Sequence, residues 1–355
     1  MDAPPRRGVL GAAERLLPGY FALVMATGIV AIACHLNAIP IAPAALGAFN
    51  WVAWCVLVAL TVVRIARFPG AIARDLADHL RGPGFLTTVA GTSVLGAQTL
   101  AIERVHAVVE PLWLLAAALW VLILYGFLVA MAVTERKPPL GNAINGGWLL
   151  ATVATQSVVV LGGALFAGPG AAPSAAVQIL LLALFLAGVL LYLIVITLIF
   201  YRISFLPLEP EGFGPLYWID TGGAAISTLA GATLLLRGAD WSALAPYLPF
   251  LRGATLFVWA AASFWLPFLV AMIGWRYLIR RDRFRYEPGL WGMVFPIGMY
   301  SAATFTLARA ADLSFLEPLS HAFAFAGLAA WVVTAVAFVV ATLSSERRVP
   351  TAGGR

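Results

Sequence analysis

Charged residues are scarce in this sequence. Asp, Glu, Lys and Arg make up 11% of its 355 residues, whereas soluble domains carry about 25%. Hydrophobic residues make up 62%, and the mean hydropathy is +0.94. Many apolar runs reach the roughly 20 residues that cross a bilayer. The sequence therefore predicts a multi-pass membrane protein with the lipid bilayer as a partner, and the net charge of +6 does not indicate nucleic-acid binding.

Lysine and cysteine are nearly absent. Lys137 is the only lysine among 22 basic residues, and it falls in a loop, which excludes a retinal pump that needs an intramembrane lysine. The two cysteines, Cys34 and Cys55, form no CxxC motif. They lie near the same end of neighbouring apolar runs, so a disulfide between them is one interpretation. The favoured interpretation is that both are small packing residues.

Motifs for enzyme chemistry are also missing. The sequence has no HExxH, no nucleophile elbow and no P-loop. An intramembrane aspartyl protease needs two carboxylates, but Asp220 is the only acid well inside an apolar run. The histidines form no ligand cluster; they are His35, His79, His106 and His321. We therefore predict no enzyme activity, no metal and no cofactor.

Ten apolar runs predict an all-α membrane protein built from five tandem hairpins. This domain covers residues 18–343, with cytoplasmic tails at 1–17 and 344–355. The stretch 67–84 alternates apolar and charged residues, which favours either a helix on the inner membrane surface or a polar loop. The predicted spans are about 18–35, 49–67, 83–101, 110–133, 143–166, 176–201, 215–236, 252–278, 289–309 and 318–343.

The basic residues predict how the spans are oriented. If the N-terminus is cytoplasmic, 18 of the 22 Lys and Arg residues fall in cytoplasmic segments. Only Arg104, Arg237, Arg252 and Arg309 fall on the other side. Cytoplasmic loops of membrane proteins are enriched in Lys and Arg. We therefore expect a cell (inner) membrane protein with both termini in the cytoplasm.

Odd and even spans differ in composition. Windows of 18 residues in the five odd spans contain 32 Gly, Ser, Thr, Asn, Gln or Asp residues, against nine in the five even spans. Polar side chains need partners that hydrocarbon cannot give. We expect the odd helices to form an inner ring around a pore and the even helices an outer ring. Small residues also serve close helix packing, which remains the alternative for several glycines.

The candidate pore-lining residues are small, hydroxyl or amide side chains of the odd spans. They are Thr27, Gly28, Thr92, Ser93, Gln98, Thr152, Gln156, Thr221, Ser227 and Ser301. Asp220 is a candidate proton or coupling site, because intramembrane carboxylates are costly. The alternative is a structural Asp220 that lies near the positive end of its helix and pairs with Arg202 or reaches water.

Two stretches of the sequence resemble those of a known protein family. "PGYFALVMATG" (18–28) and "LWGMVFPIGMYSAAT" (290–304), together with the five hairpins, resemble the tellurite-resistance/dicarboxylate transporter family. That family includes plant slow anion channels, bacterial TehA-like proteins, and fungal malate permeases and sulfite pumps. The resemblance covers about residues 16–343. It implies a homotrimer whose subunits each have a central pore, with Phe295 as the pore-blocking gate and Pro296 as a bend beside it.

The leading hypothesis is passage of small anions through the central pore. Dicarboxylates such as malate, tellurite, sulfite and monovalent anions all suit an uncharged polar pathway. The alternatives are a proton-coupled secondary carrier that uses Asp220, and a membrane receptor or scaffold that transports nothing.

Overall fold

The computed structural model describes residues 8–167, 172–207, 212–238 and 240–346. Within these ranges, ten helices are long and apolar enough to cross a membrane, which confirms the ten-helix prediction. We label them α1 to α10 in chain order: Pro18–Leu36, Ala42–Arg67, Gly82–Glu103, His106–Val133, Gly146–Leu165, Ala175–Phe205, Pro215–Arg237, Ala245–Ile279, Leu290–Ala310 and Ser314–Ser344.

Two helices begin about two turns earlier than predicted. α2 begins at Ala42 and α8 at Ala245, where the sequence predicted starts near residues 49 and 252. Each has a proline, Pro43 or Pro246, within its first turn. A proline there loses no helical hydrogen bond, because the first backbone N–H groups have no partner inside the helix.

The odd and even helices occupy different layers. In the most apolar window of each odd helix 67–83% of residues are buried, against 17–33% for the even helices. The odd helices contact one another in a closed cycle, α1 to α3, α5, α7, α9 and back to α1. Each even helix packs outside this cycle, against its own hairpin partner and the next odd helix. The chain thus forms an inner layer of five helices with an outer layer of five around it.

Segments between and before the spans contain short helices. Gly8–Glu14, inside the predicted N-terminal tail, packs on α2. Pro69–Leu76 lies within the stretch 67–84, for which either a surface helix or a polar loop was predicted, and it contacts α2 and α4. Residues 1–7 and 347–355, which include most of the C-terminal tail, lie outside the described residues. Cys34 is buried and Cys55 is exposed, and the two thiols are free.

A repeated hydrogen bond ties the two layers together. In four of the five steps around the cycle, a tryptophan of an even helix donates its indole N–H to a threonine of the next odd helix. The pairs are Trp54 to Thr92 (3.1 Å), Trp120 to Thr155 (2.8 Å), Trp259 to Thr304 (3.1 Å) and Trp331 to Thr27 (2.9 Å). At the fifth step the Tyr192 hydroxyl of α6 donates to the backbone carbonyl of Asp220 in α7, at 3.2 Å. The ring therefore closes through equivalent polar contacts.

Removing one of these bonds should weaken the bundle modestly. Hydrogen bonds between membrane helices contribute on average about 0.6 kcal/mol. We expect Trp120→Phe and Thr155→Val each to lower the thermal unfolding temperature in detergent, and the double variant to unfold no earlier than the worse single one. Fully additive losses would show that the two side chains do not act as a pair.

Candidate functional site

A cavity lies at the end of the bundle where the odd helices begin. Its volume is about 170 Å³. The first turns of all five odd helices line it, through residues that include Gly19, Gly84, Gly147, Ile219 and Gly292. The N-terminal ends of the five inner helices therefore meet at one place, which makes the inner layer parallel. We call this cavity the vestibule.

The five helix ends that line the vestibule share a sequence pattern. Each odd helix opens on proline or glycine followed by an aromatic or leucine residue, and four of these openings fold as a 3₁₀ turn. The stretches are PGYF (18–21), GPGF (82–85), GGWL (146–149), PLYW (215–218) and PGLW (288–291). This pattern is visible along the chain but was not among the predicted features.

Glycine at these openings permits close backbone contact. A Cβ atom on Gly84 would lie 2.9 Å from the backbone nitrogen of Gly19, and one on Gly146 would lie 2.0 Å from the carbonyl oxygen of Leu216. Both distances are below 3.0 Å, a separation that real Cβ atoms essentially never show. The first turns of neighbouring inner helices can approach this closely only because the side chains are missing.

One charged residue, Arg81, is among those lining the vestibule. Its guanidinium donates to the carboxylate of Asp75 at 3.1 Å, and the buried Arg64 of α2 donates to the same carboxylate. Asp75 belongs to the short helix Pro69–Leu76. This acid therefore ties the short helix Pro69–Leu76 to α2 and holds an arginine at the rim of the cavity.

Phe295 lies one helical turn beyond the vestibule lining. Gly292 lines the cavity, and residues three apart share a helix face. The Phe295 side chain is completely buried. A Cβ atom on Gly222 of α7 would lie 3.5 Å from the Phe295 ring and 2.8 Å from the Pro296 ring. The sequence thus places a bulky residue in the inner layer of helices, against a glycine of the neighbouring helix.

Pro296 lies inside α9. It has no backbone N–H, so the hydrogen bond that would run to the carbonyl of Gly292 is absent. Gly292 lines the vestibule. The helix backbone is therefore weakened between the vestibule and the Phe295 ring.

Several predicted pore-lining side chains of α1 and α3 contact the outer layer. Thr27 and Thr92 accept the indole hydrogen bonds described above. Gln98 accepts from Asn50 of α2 at 2.9 Å and donates to Glu103 at 2.9 Å. A Cβ on Gly28 would lie 2.8 Å from the Asn50 side chain. These four positions serve contacts between helices.

The same holds for three polar residues further along the chain. Gln156 donates to the carbonyl of Phe185 in α6 at 2.9 Å. Thr221 donates to the carbonyl of Ala262 in α8 at 3.3 Å, and Ser301 to that of Ser320 in α10 at 2.8 Å. Composition predicted which helices are inner but not which way each polar side chain points.

Two predicted pore-lining hydroxyls have no hydrogen-bond partner among the described residues. They are those of Ser93 in α3 and Thr152 in α5, and both are buried. Ser227 instead donates to the carbonyl of Gly223 in its own helix, at 2.8 Å. Ser93 and Thr152 are therefore the members of the predicted set whose hydroxyls have no partner among the described residues, and the buried side-chain oxygen of Gln156 has none either.

Asp220 is buried in the first part of α7. Its side chain is completely inaccessible, and neither carboxylate oxygen has a hydrogen-bond partner within the described ranges. Arg202, which the structural alternative considered as a partner, donates to the carbonyl of Ile144 and to the Tyr217 hydroxyl instead. A helix dipole contributes about 1 kcal/mol, whereas burying an ion costs several. A charge on Asp220 therefore needs a partner beyond the helix dipole.

Known proteins resemble part or most of this chain. The family described as SLAC1, voltage-dependent anion channel, matches residues 15–339. An uncharacterized membrane protein of Mycobacterium tuberculosis is 35% identical over 149 residues, which cover 42% of this chain and 75% of that protein. An uncharacterized transporter of Methanocaldococcus jannaschii is 19% identical over 92% of this chain and 95% of its own length. The sulfite efflux pump of Trichophyton rubrum is 23% identical, over 93% and 91% respectively.

Proposed function

Because the chain belongs to the SLAC1 family of voltage-dependent anion channels, a family of membrane channels and transporters, we propose that it passes small anions between its five odd helices. The observation that carries this proposal is the vestibule, to which all five inner helices contribute their N-terminal turns. The N-terminus of a helix carries about half a positive charge and favours anions. Five such ends at one opening attract an anion without a fixed cation deep in the path.

The pathway has few strong ligands, which suits transport. An ion held tightly cannot leave, so conduction needs weak binding at several places. The free hydroxyls of Ser93 and Thr152 supply donors of this kind, and Phe295 with Pro296 forms the constriction beyond the vestibule. Thr27, Thr92 and Gln98 position the outer helices in this proposal and do not touch the anion.

The vestibule is the cytoplasmic opening in this proposal. Ten crossings place both ends of the membrane domain on one side, and the excess of arginine on that side indicates the cytoplasm. The protein then lies in the cell (inner) membrane, with residues 18–343 as the transport domain. The homotrimer follows from the family resemblance, with one pathway in each subunit.

The substrate class is tested by flux into proteoliposomes. Chloride, nitrate, sulfite and malate are each measured against protein-free vesicles, and potassium serves as the cation control. We expect flux of at least one of these anions and none of potassium. If no anion shows flux above that of protein-free vesicles, the result would contradict transport and favour a receptor or scaffold.

A second candidate function is proton-coupled transport through Asp220. The observation that favours it is the buried carboxylate, whose two oxygens have no partner among the residues described. A proton is the smallest partner that can compensate its charge. Two titratable groups lie near it: Tyr192, whose hydroxyl donates to the Asp220 backbone carbonyl, and Tyr217, whose hydroxyl accepts from Arg202.

A further inference from the structure

The loop between α8 and α9 concentrates positive charge next to the membrane domain. Its cations are Arg280, Arg281, Arg283 and Arg285, and in the part of the chain that the structure describes none of them forms an ion pair. Arg276, at the end of α8, pairs with Asp282 at 2.8 Å. That hydrogen bond holds the pKa of the Asp282 carboxyl below its usual range, so this acid stays ionised. Its carboxylate is already paired with Arg276. The loop therefore offers cations with no anion of their own.

These arginines line a cavity of about 600 Å³. The cavity includes Arg276, Arg280, Arg281, Arg283 and Arg285, and its acids are Asp282 and Glu287. Five cations against two acids leave an excess of three positive charges. An anionic group such as a phosphate fits this balance, because guanidinium groups bind phosphate oxygens with paired hydrogen bonds.

An apolar groove adjoins the basic cavity. It measures about 660 Å³ and runs along α10, where Val332, Val336 and Val340 line it at four-residue spacing. Each of these three valines is at least 47% exposed. Arg285 lines both the groove and the basic cavity. A cationic pocket therefore continues into a strip of exposed valines on an outer helix.

Tyr286 fixes the loop against the membrane domain. Its ring lies 5.3 Å from that of Phe338 on α10, and its hydroxyl accepts from the indole of Trp291 on α9 at 3.2 Å. The neighbouring Phe284 is half exposed and lines the groove. Arg285 is thus held at the rim of the groove by its two neighbours in the chain, Phe284 and Tyr286.

From this arrangement we infer that the α8–α9 loop and the adjacent face of α10 bind one anionic phospholipid. The phosphate contacts Arg283 and Arg285, and an acyl chain lies along Val332, Val336 and Val340. Basic pockets beside transmembrane helices bind anionic headgroups in this way. A free phosphate would use the cavity but not the groove, and a zwitterionic lipid would gain little from the surplus of positive charge. The inference is independent of which solute the protein transports.

Native mass spectrometry of the full chain in detergent tests the headgroup contact, with phosphatidylglycerol and phosphatidylcholine as probes. We expect phosphatidylglycerol to be retained in preference to phosphatidylcholine, and Arg283→Gln with Arg285→Gln to weaken that retention by roughly tenfold or more. The matched control is Arg136→Gln with Lys137→Gln, which removes two exposed charges from another loop at the same end. Equal losses in both double variants would overturn the site in favour of unspecific attraction.

The groove is tested separately by Val336→Trp, with Val129→Trp on the exposed face of α4 as its control. We expect Val336→Trp to lower phosphatidylglycerol retention and Val129→Trp to leave it unchanged. Unchanged retention in Val336→Trp, or displacement of the lipid by inorganic phosphate, would overturn the lipid assignment in favour of a free-anion site. A change of oligomer mass in Val336→Trp would show instead that a second copy covers the groove.

Discussion

Anion flux should rise when Phe295 is replaced by alanine. The ring is completely buried and lies one turn beyond Gly292, which lines the vestibule. If it forms the constriction, its removal lowers the barrier to passage, and each 1.4 kcal/mol of barrier lost is about tenfold in rate. We expect at least roughly tenfold faster flux of the permeant anion into proteoliposomes, with potassium still excluded. Flux unchanged for every anion would exclude the gate role.

The control must separate an open gate from a damaged core. Deleting a buried phenylalanine side chain costs about 3–5 kcal/mol of stability, whether or not the ring forms a gate. Phe185 of α6 is equally buried, but it belongs to an outer helix and packs against Gly231. Phe185→Ala should therefore destabilise the protein similarly without raising flux. Phe295→Leu keeps most of the apolar volume and should give an intermediate flux if Phe295→Ala folds poorly.

The contact between Gly222 and α9 explains why the ring can lie where it does. A methyl group on Gly222 would come within 2.8 Å of Pro296. Small residues at helix interfaces allow this kind of approach in membranes. Packing was the alternative interpretation for such glycines, and Gly222 and Gly231 both pack closely against a neighbouring helix.

The number and layering of the helices could be predicted because they depend on composition along one span at a time. Side-chain direction could not. Thr92 and Ser93 are neighbours of the same type in sequence, yet Thr92 accepts from Trp54 while Ser93 has no partner among the described residues. The difference depends on where a tryptophan of another helix lies. The sequence does contain a signal, since an indole N–H within an apolar even span needs an acceptor.

Arg81 shows a second limit of sequence reasoning. In the sequence it is one of several arginines in a loop that the positive-inside pattern assigns to the cytoplasm. Its place at the vestibule depends on Asp75, which bridges it to Arg64. Such a bridge joins residues from three segments, and no local pattern predicts it.

Replacing Asp220 by asparagine should abolish the response of transport to a pH gradient. Asparagine keeps the size and polarity of the side chain but cannot bind or release a proton. If Asp220 carries the coupled proton, Asp220→Asn should still exchange anions across the membrane, while an imposed pH gradient should no longer drive accumulation. The measurement is uptake of the permeant anion into proteoliposomes, with and without a pH difference of two units.

Asp240→Asn is the matched control, because Asp240 is an exposed carboxylate in the loop after α7. That variant should respond to the gradient as the unmodified protein does. A pH response in Asp220→Asn equal to that of the unmodified protein would exclude the coupling role. The variants Phe295→Ala and Asp220→Asn also answer separate questions. Phe295→Ala changes the height of the barrier, whereas Asp220→Asn changes whether a proton shares the passage. A channel predicts the first effect alone, and a coupled carrier predicts both.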